Sequence, residues 1–233
     1  MKTLSIIAII VAGLFLTGCV FVRVKSDGFS SGKRVAGNGV ITEKTFDVTD
    51  FTKIELNVPA DVEYTCGAAP SMTVKVDENL LEYITVDVNN GTLKVASTIK
   101  SFKNFKKLSI ELASSSLESL ESNGAVDFEA ANTITAESFK LRCNGAADVD
   151  IERLDVKDAF FEINGAADLE IGLVDADSVE LNVNGAGDAD LSGKTKAVTV
   201  KVHGAGDVDL SELAYESLQK EVNGIGSVKT SRK

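Results

Sequence analysis

The feature that most constrains the fold of this chain is a short motif that returns six times in its second half. Asn123-Gly124-Ala125-Val126-Asp127 recurs as Asn144-Gly145-Ala146-Ala147-Asp148, Asn164-Gly165-Ala166-Ala167-Asp168 and Asn184-Gly185-Ala186-Gly187-Asp188. His203-Gly204-Ala205-Gly206-Asp207 and Asn223-Gly224-Ile225-Gly226-Ser227 complete the set. Steps between successive first glycines are 21, 20, 20, 19 and 20 residues. A fixed period of this size marks a solenoid, in which each repeat buries its apolar face against the next.

The residues around the motif give the register. One residue before it stand Cys143, Ile163, Val183, Val202 and Val222; three before stand Leu141, Phe161, Leu181, Val200 and Lys220. Five before stand Phe139, Ala159, Val179, Val198 and Leu218, with mostly polar residues between. Such alternation puts each set on one face of a strand. After the motif, Val149, Leu169, Ala189 and Val208 and then Ile151, Ile171, Leu191 and Leu210 form further columns. Each coil is therefore expected to hold two short strands joined by the Asn-Gly turn, with a second turn near Glu137-Ser138, Asp158, Ala176-Asp177 and Lys194-Thr195. Glycine is expected to supply positive φ at the corner, and stacked asparagines to form an amide ladder. Lys220, Ser227 and Thr230 depart from the pattern and predict a polar terminal coil that discourages end-to-end association.

Residues 37–107 lack the period but still read as strands: Gly39–Asp47, Lys53–Val58, Asp61–Thr65, Met72–Val76, Ile84–Val88 and Thr92–Ala96. Asn89-Asn90-Gly91 suits a hairpin turn, and Glu78–Tyr83 a single helical turn.

The N-terminus addresses location. Lys2 precedes an apolar run from Leu4 to Leu16, too short to span a bilayer and of signal-peptide length. It ends in Leu16-Thr17-Gly18-Cys19, which resembles the bacterial lipobox, so Cys19 is the expected lipidated residue. Acylation there implies stable membrane anchoring. The expected organisation is a signal peptide over 1–18, a flexible tether over 19–36, one β-solenoid domain over 37–228 (irregular to 107, regular over 108–228) and a basic tail over 229–233. Arg23, Lys25, Lys33 and Arg34 near the anchor either meet anionic head groups or simply solvate the tether. Cys66 and Cys143 lie in a compartment that permits a disulfide, but their spacing does not require one.

From Leu108 to Tyr215 there are 22 Asp and Glu against 7 Lys and Arg, a net of −15. That acidity argues against nucleic-acid binding. Asp127, Asp148, Asp168, Asp188 and Asp207 form one outward column, and Glu129, Asp150, Glu170, Asp190 and Asp209 a second. Turn N–H groups can hold the first while solvent screens the second. The alternative is calcium bridging by oxygen ligands at Asp148, Asp150, Asp168, Glu170, Asp188, Asp190, Asp207 and Asp209. His203, the single histidine, replaces the turn asparagine and has no serine or aspartate marked out beside it as a catalytic partner. Phosphate loops run from strand to helix, whereas these glycines lead into another strand.

Taken with these turns, Phe46-Asp47-Val48-Thr49-Asp50-Phe51-Thr52-Lys53-Ile54 and Val58-Pro59-Ala60-Asp61-Val62 resemble the bacterial family described as putative auto-transporter adhesin, head GIN domain. The likeness runs from about Thr45 to Val228; many members are lipoproteins of Bacteroidetes-type bacteria. It implies a right-handed, single-stranded parallel β-helix-like solenoid, no catalytic residues and a role in adhesion. The expectation is thus a non-catalytic, cofactor-free binding scaffold, anchored in the cell envelope at the outer membrane, with a protein or glycan as surface ligand. A structural envelope component and a carbohydrate-active enzyme on a β-helix are the alternatives.

Overall fold

The computed structural model describes residues 32–231. The expected signal peptide, Cys19, most of the expected tether and the last two residues of the expected basic tail lie outside them. The first half contains β1 (Arg34–Ala36), β2 (Ile41–Phe46), β3 (Lys53–Leu56), β4 (Ala60–Cys66), β5 (Ser71–Asp77), β6 (Ile84–Asn89), β7 (Thr92–Ser97), β8 (Ser101–Lys103) and β9 (Ser109–Ser114), with a 3-10 turn over Glu78–Tyr83. The second half contains β10 (Ser119–Ser122), β11 (Ala125–Thr135), β12 (Ser138–Cys143), β13 (Ala146–Asp155), β14 (Asp158–Ile163) and β15 (Ala166–Val183). It ends with β16 (Ala189–Val202), β17 (Ala205–Leu210), β18 (Leu213–Val222) and β19 (Ile225–Thr230).

The chain is a β-solenoid of parallel coils of about 20 residues. Each strand of the second half pairs in parallel with the strand one period on, placing Leu141 beside Phe161, Val149 beside Leu169 and Leu181 beside Val200. The expected apolar columns are buried, except in the last coil, where Leu218 is half-buried and Lys220 and Val222 are exposed. One further column was not foreseen. Register shifts after Ala130 and Ile171 bend the second strand of a coil and add a short third side, so that Ile134, Leu154 and Val174 stack in the core, followed by Gly193 and then Leu213. Two successive residues, Glu152-Arg153 or Gly172-Leu173, separate the inward ones at this bend and break the alternation on which two-strand coils were predicted.

The motif glycines also act differently from expectation. Positive φ among the described glycines occurs at Gly32, Gly39, Gly67, Gly91 and Gly193, none of them the first glycine of a motif. What these corners require is close approach. A Cβ on Gly124 would lie 2.6 Å from the Val58 carbonyl oxygen, and one on Gly145, Gly165, Gly185, Gly204 or Gly224 would collide with the carbonyl of the glycine one coil before. At the β6–β7 hairpin, by contrast, Asn90 (φ 51°) and Gly91 (φ 72°) do use the left-handed region.

The first half continues the stack out of chain order, a departure from simple single-stranded winding. β3 and β4 lie in register against β10 and β11, and β7 and β9 lie on the far side of β3 and β4. Antiparallel strands then cover this end: β6 on β7, β5 on β9 and β2 on β5. The edge of the first coil is thus closed to further parallel pairing. Arg34–Ala36, assigned to the tether by sequence, is a strand because Val35 pairs opposite Phe102 of β8 and the Gly37 N–H reaches the Lys103 carbonyl at 2.9 Å. Lys229 and Thr230, assigned to the basic tail, belong to β19, where Lys229 pairs with Asp209.

Candidate functional site

At the corner between the first and second sides the asparagines form the expected ladder. Nδ2 of Asn144 donates to Oδ1 of Asn123 at 2.8 Å, Asn164 to Asn144 at 3.0 Å and Asn184 to Asn164 at 2.9 Å. The ladder reaches one coil further, to Asn57, whose Oδ1 accepts from Asn123 at 3.0 Å. His203 occupies a ladder position, with Nε2 3.3 Å from Asn223 Nδ2. No serine or carboxylate hydrogen-bonds it among the described residues, so no nucleophile–base pair is assembled there.

Asn57 reveals a further copy of the motif. The register places Asp61 opposite Asp127 and Glu63 opposite Glu129, so Asn57-Val58-Pro59-Ala60-Asp61-Val62-Glu63 is the same turn. Val58 and Pro59 stand where the other copies carry Gly-Ala or, in the last, Gly224-Ile225, which hid the turn in the sequence. The Asn-x-x-x-Asp-x-Glu spacing was the signal that could have found it.

Both acidic columns therefore begin one coil earlier than sequence indicated. Asp61, Asp127, Asp148, Asp168, Asp188 and Asp207 form the first; Glu63, Glu129, Asp150, Glu170, Asp190 and Asp209 form the second. They line a shallow groove of about 580 Å³ along the second side, from Asp61 to Asp190. Part of the first column is held as expected, by backbone of the next coil. Asp168 accepts from the Asp188 N–H at 3.3 Å, Asp188 from Asp207 at 2.9 Å and Asp207 from Ser227 at 2.9 Å.

A lysine closes each end. Lys107 pairs with Asp61, and that hydrogen bond raises the lysine pKa. Lys229 lies 2.6 Å from Asp209, and its hydrogen bond, with two more from Ser211, holds that carboxyl at about 2. Between the ends, Glu63, Glu129, Asp148, Asp150, Glu170 and Asp190 have no ion-pair partner among the described residues. Of the expected oxygen ligands, all eight fall in the two columns, but no group of three or more His, Cys, Asp or Glu among the described residues is arranged to hold a metal ion.

The other sides carry charge differently. At the corner between the third side and the first, Glu137, Lys157, Asp177, Lys196 and Glu216 alternate in sign from coil to coil, with ion pairs of 2.6 Å (Lys157–Glu137) and 2.7 Å (Lys196–Asp177). On the first side Arg142 pairs with Glu162 at 2.9 Å and Lys201 with Glu180 at 3.3 Å. Like charges one coil apart repel by about 1–3 kcal/mol at dielectrics between water and a protein surface. Opposite charges relieve that repulsion on these faces, by sign alternation at the corner and by Arg153 between the stacked Asp155 and Asp175 on the third side; the groove leaves it in place.

Buried reactive groups do not supply an alternative centre. Cys66 and Cys143 are both buried and free, and burial pushes the Cys143 thiol up to about 12. Burial also raises the pKa of Tyr64, whose hydroxyl lies 2.8 Å from Ser114 Oγ. These groups face the core, not the groove.

Fold and site together define a parallel β-solenoid with one uncompensated acidic face. The chain belongs to the family described as putative auto-transporter adhesin, head GIN domain, whose sequence profile matches residues 50–232. Crystal structures of similar fold include a putative adhesin from Parabacteroides distasonis, 23% identical, with 85% of this chain and 84% of that one aligned at a TM-score of 0.80. A putative lipid binding protein from the same organism is 19% identical over 86% of this chain and 100% of that one, with a TM-score of 0.66. A putative adhesin from Bacteroides fragilis is 20% identical over 84% and 99%, with a TM-score of 0.61. Curated proteins offer no significant match.

Proposed function

We propose that the chain is a lipid-anchored, non-catalytic binding scaffold of the bacterial cell envelope, held through Cys19 at the outer membrane. Its ligand face is the acidic groove. The observation that carries this reading is the contrast between sides: elsewhere stacked carboxylates meet a lysine or arginine, by sign alternation at the corner or through Arg153 between Asp155 and Asp175, while the groove keeps a run of carboxylates without counter-ions among the described residues. A fold under selection for stability alone has no use for that repulsion. A ligand with spaced positive charges, such as a basic segment of a surface protein, would relieve it, and a solenoid offers such a ligand a long regular track. Family membership supports an adhesive rather than catalytic role.

The test is a calorimetric titration of the full chain with oligolysine at low and high salt. Binding should be measurable at low salt and weaken steeply as salt rises. Replacing Asp148 and Asp150 by Asn and Glu129 and Glu170 by Gln should reduce affinity at least about tenfold, each lost charge contact being worth a fraction of a kcal/mol. Equal affinity for the parent and this variant would remove the groove as the binding face.

A further inference from the structure

The end of the molecule where the described chain begins carries the opposite charge. Pairing of β1 with β8 brings Lys33 and Arg34 beside Lys100 and Lys103, and the Lys100 N–H bonds the Lys33 carbonyl at 3.0 Å. Asp77, fully buried, accepts from the backbone N–H groups of Gly39 at 2.5 Å and Lys106 at 3.1 Å, tying Lys106 to the segment that carries Val40 and Ile41. All five cations are exposed, and none is ion-paired among the described residues. Lys33 instead donates to the Tyr83 hydroxyl at 2.8 Å. The other acidic residues on the 3-10 turn packed here are Glu78 and Glu82. Val40 and Ile41 are 55% and 48% exposed, two of the few large apolar side chains that face water.

We infer that this basic corner seats on the anionic head groups of the membrane leaflet that holds the anchor. Exposed lysines on the same end of the molecule as exposed aliphatic side chains match an interface in which cations meet phosphate while apolar groups enter the acyl boundary. The corner lies where the tether enters, and the chain from Cys19 to Gly32 spans at most about 45 Å, so the anchor holds it within reach of the bilayer. The geometry rests on the anchored reading; the charge and apolar pattern of the corner does not.

The experiment uses the full mature protein, purified from membranes and reconstituted in vesicles of phosphatidylcholine alone or with about a third phosphatidylglycerol. Lysines are acylated with a water-soluble reagent and read by mass spectrometry. Labelling of Lys33, Lys100, Lys103 and Lys106 should fall about fivefold on the anionic vesicles, recover at high salt, and leave Lys194 and Lys196 unchanged. In the variant Lys100→Glu, Lys103→Glu, Lys106→Glu, the protection of Lys33 should be lost while the melting temperature stays that of the parent. Equal labelling on both vesicle types would overturn the inference. The intact mass of the same sample reads the anchor separately: without acyl mass on Cys19 the anchored reading fails, while co-sedimentation with anionic but not neutral vesicles still decides the corner.

Discussion

An asparagine whose amide donates to the one below and accepts from the one above still leaves a second N–H for a carboxylate or water, and the exposed ladder bond is worth only about 1 kcal/mol. The neighbouring glycine has less latitude. Gly165 sits so close to the Gly145 carbonyl that a methyl group cannot enter without separating two coils, and Gly185 meets the same limit against Gly165. Gly165→Ala is therefore expected to cost about 2–4 kcal/mol, as overpacking against fixed backbone does. His203→Asn restores the residue of the sibling corners and should stay within about 1 kcal/mol of the parent. Urea melts of the two variants check both; a neutral Gly165→Ala would show that the coils can spread. The six corners could be read from sequence because Asn-Gly-Ala repeats verbatim in four of them and with one residue changed in His203-Gly204-Ala205 and Asn223-Gly224-Ile225, whereas the reason for glycine could not. Sequence records that a side chain is missing but not which atom occupies its place. The corner at Asn57 stayed hidden because Val58 and Pro59 stand there in place of the glycine and its neighbour.

The strands of the regular half were legible because their side chains alternate with a period of two and repeat with a period of twenty, and both periods agree on one register. Val183 illustrates it: the side chain is fully buried, paired opposite Ile163 on one side and Val202 on the other. Asn182, one of the polar residues between the apolar columns, is half-buried and donates to Glu180 at 3.1 Å. Val183→Asp should cost more than about 4 kcal/mol by stranding a charge in the core, and Asn182→Ala less than about 1. The reverse order in thermal melts would mean a register shifted by one residue. The third side escaped sequence reading because it is only about three residues long in each coil, for instance Arg153–Asp155, and a period of two needs more than that to declare itself. The first half kept its strands visible but not their stacking order. Nothing local records that β3 and β4 lie between β7 and β9 on one side and β10 and β11 on the other; that pairing is set by long-range burial of Ile54, Val62, Leu93 and Ile110.

On the scale of the whole molecule, the fold separates charge: a basic corner where the chain enters, an acidic groove along the second side, and mixed signs elsewhere. Net charge alone, −11 for the whole sequence, conceals this arrangement. The acidic columns were legible in sequence from Asp127 to Asp209, but their lack of counter-ions was not, since only the fold shows that Lys107 and Lys229 sit at the ends and the other lysines on other faces. The central claim is that the groove is kept for a ligand at the expense of stability. Its most direct test is the melting temperature, at low salt, of the variant carrying Glu129→Gln, Asp148→Asn, Asp150→Asn and Glu170→Gln. None of these carboxylates has a hydrogen-bond or ion-pair partner among the described residues, so their neutralisation removes repulsion and breaks no such bond. The account predicts a midpoint about 3–6 °C above the parent, with the gain shrinking as salt rises. A midpoint at or below the parent's at low salt would contradict it, because the carboxylates would then be holding the coils together.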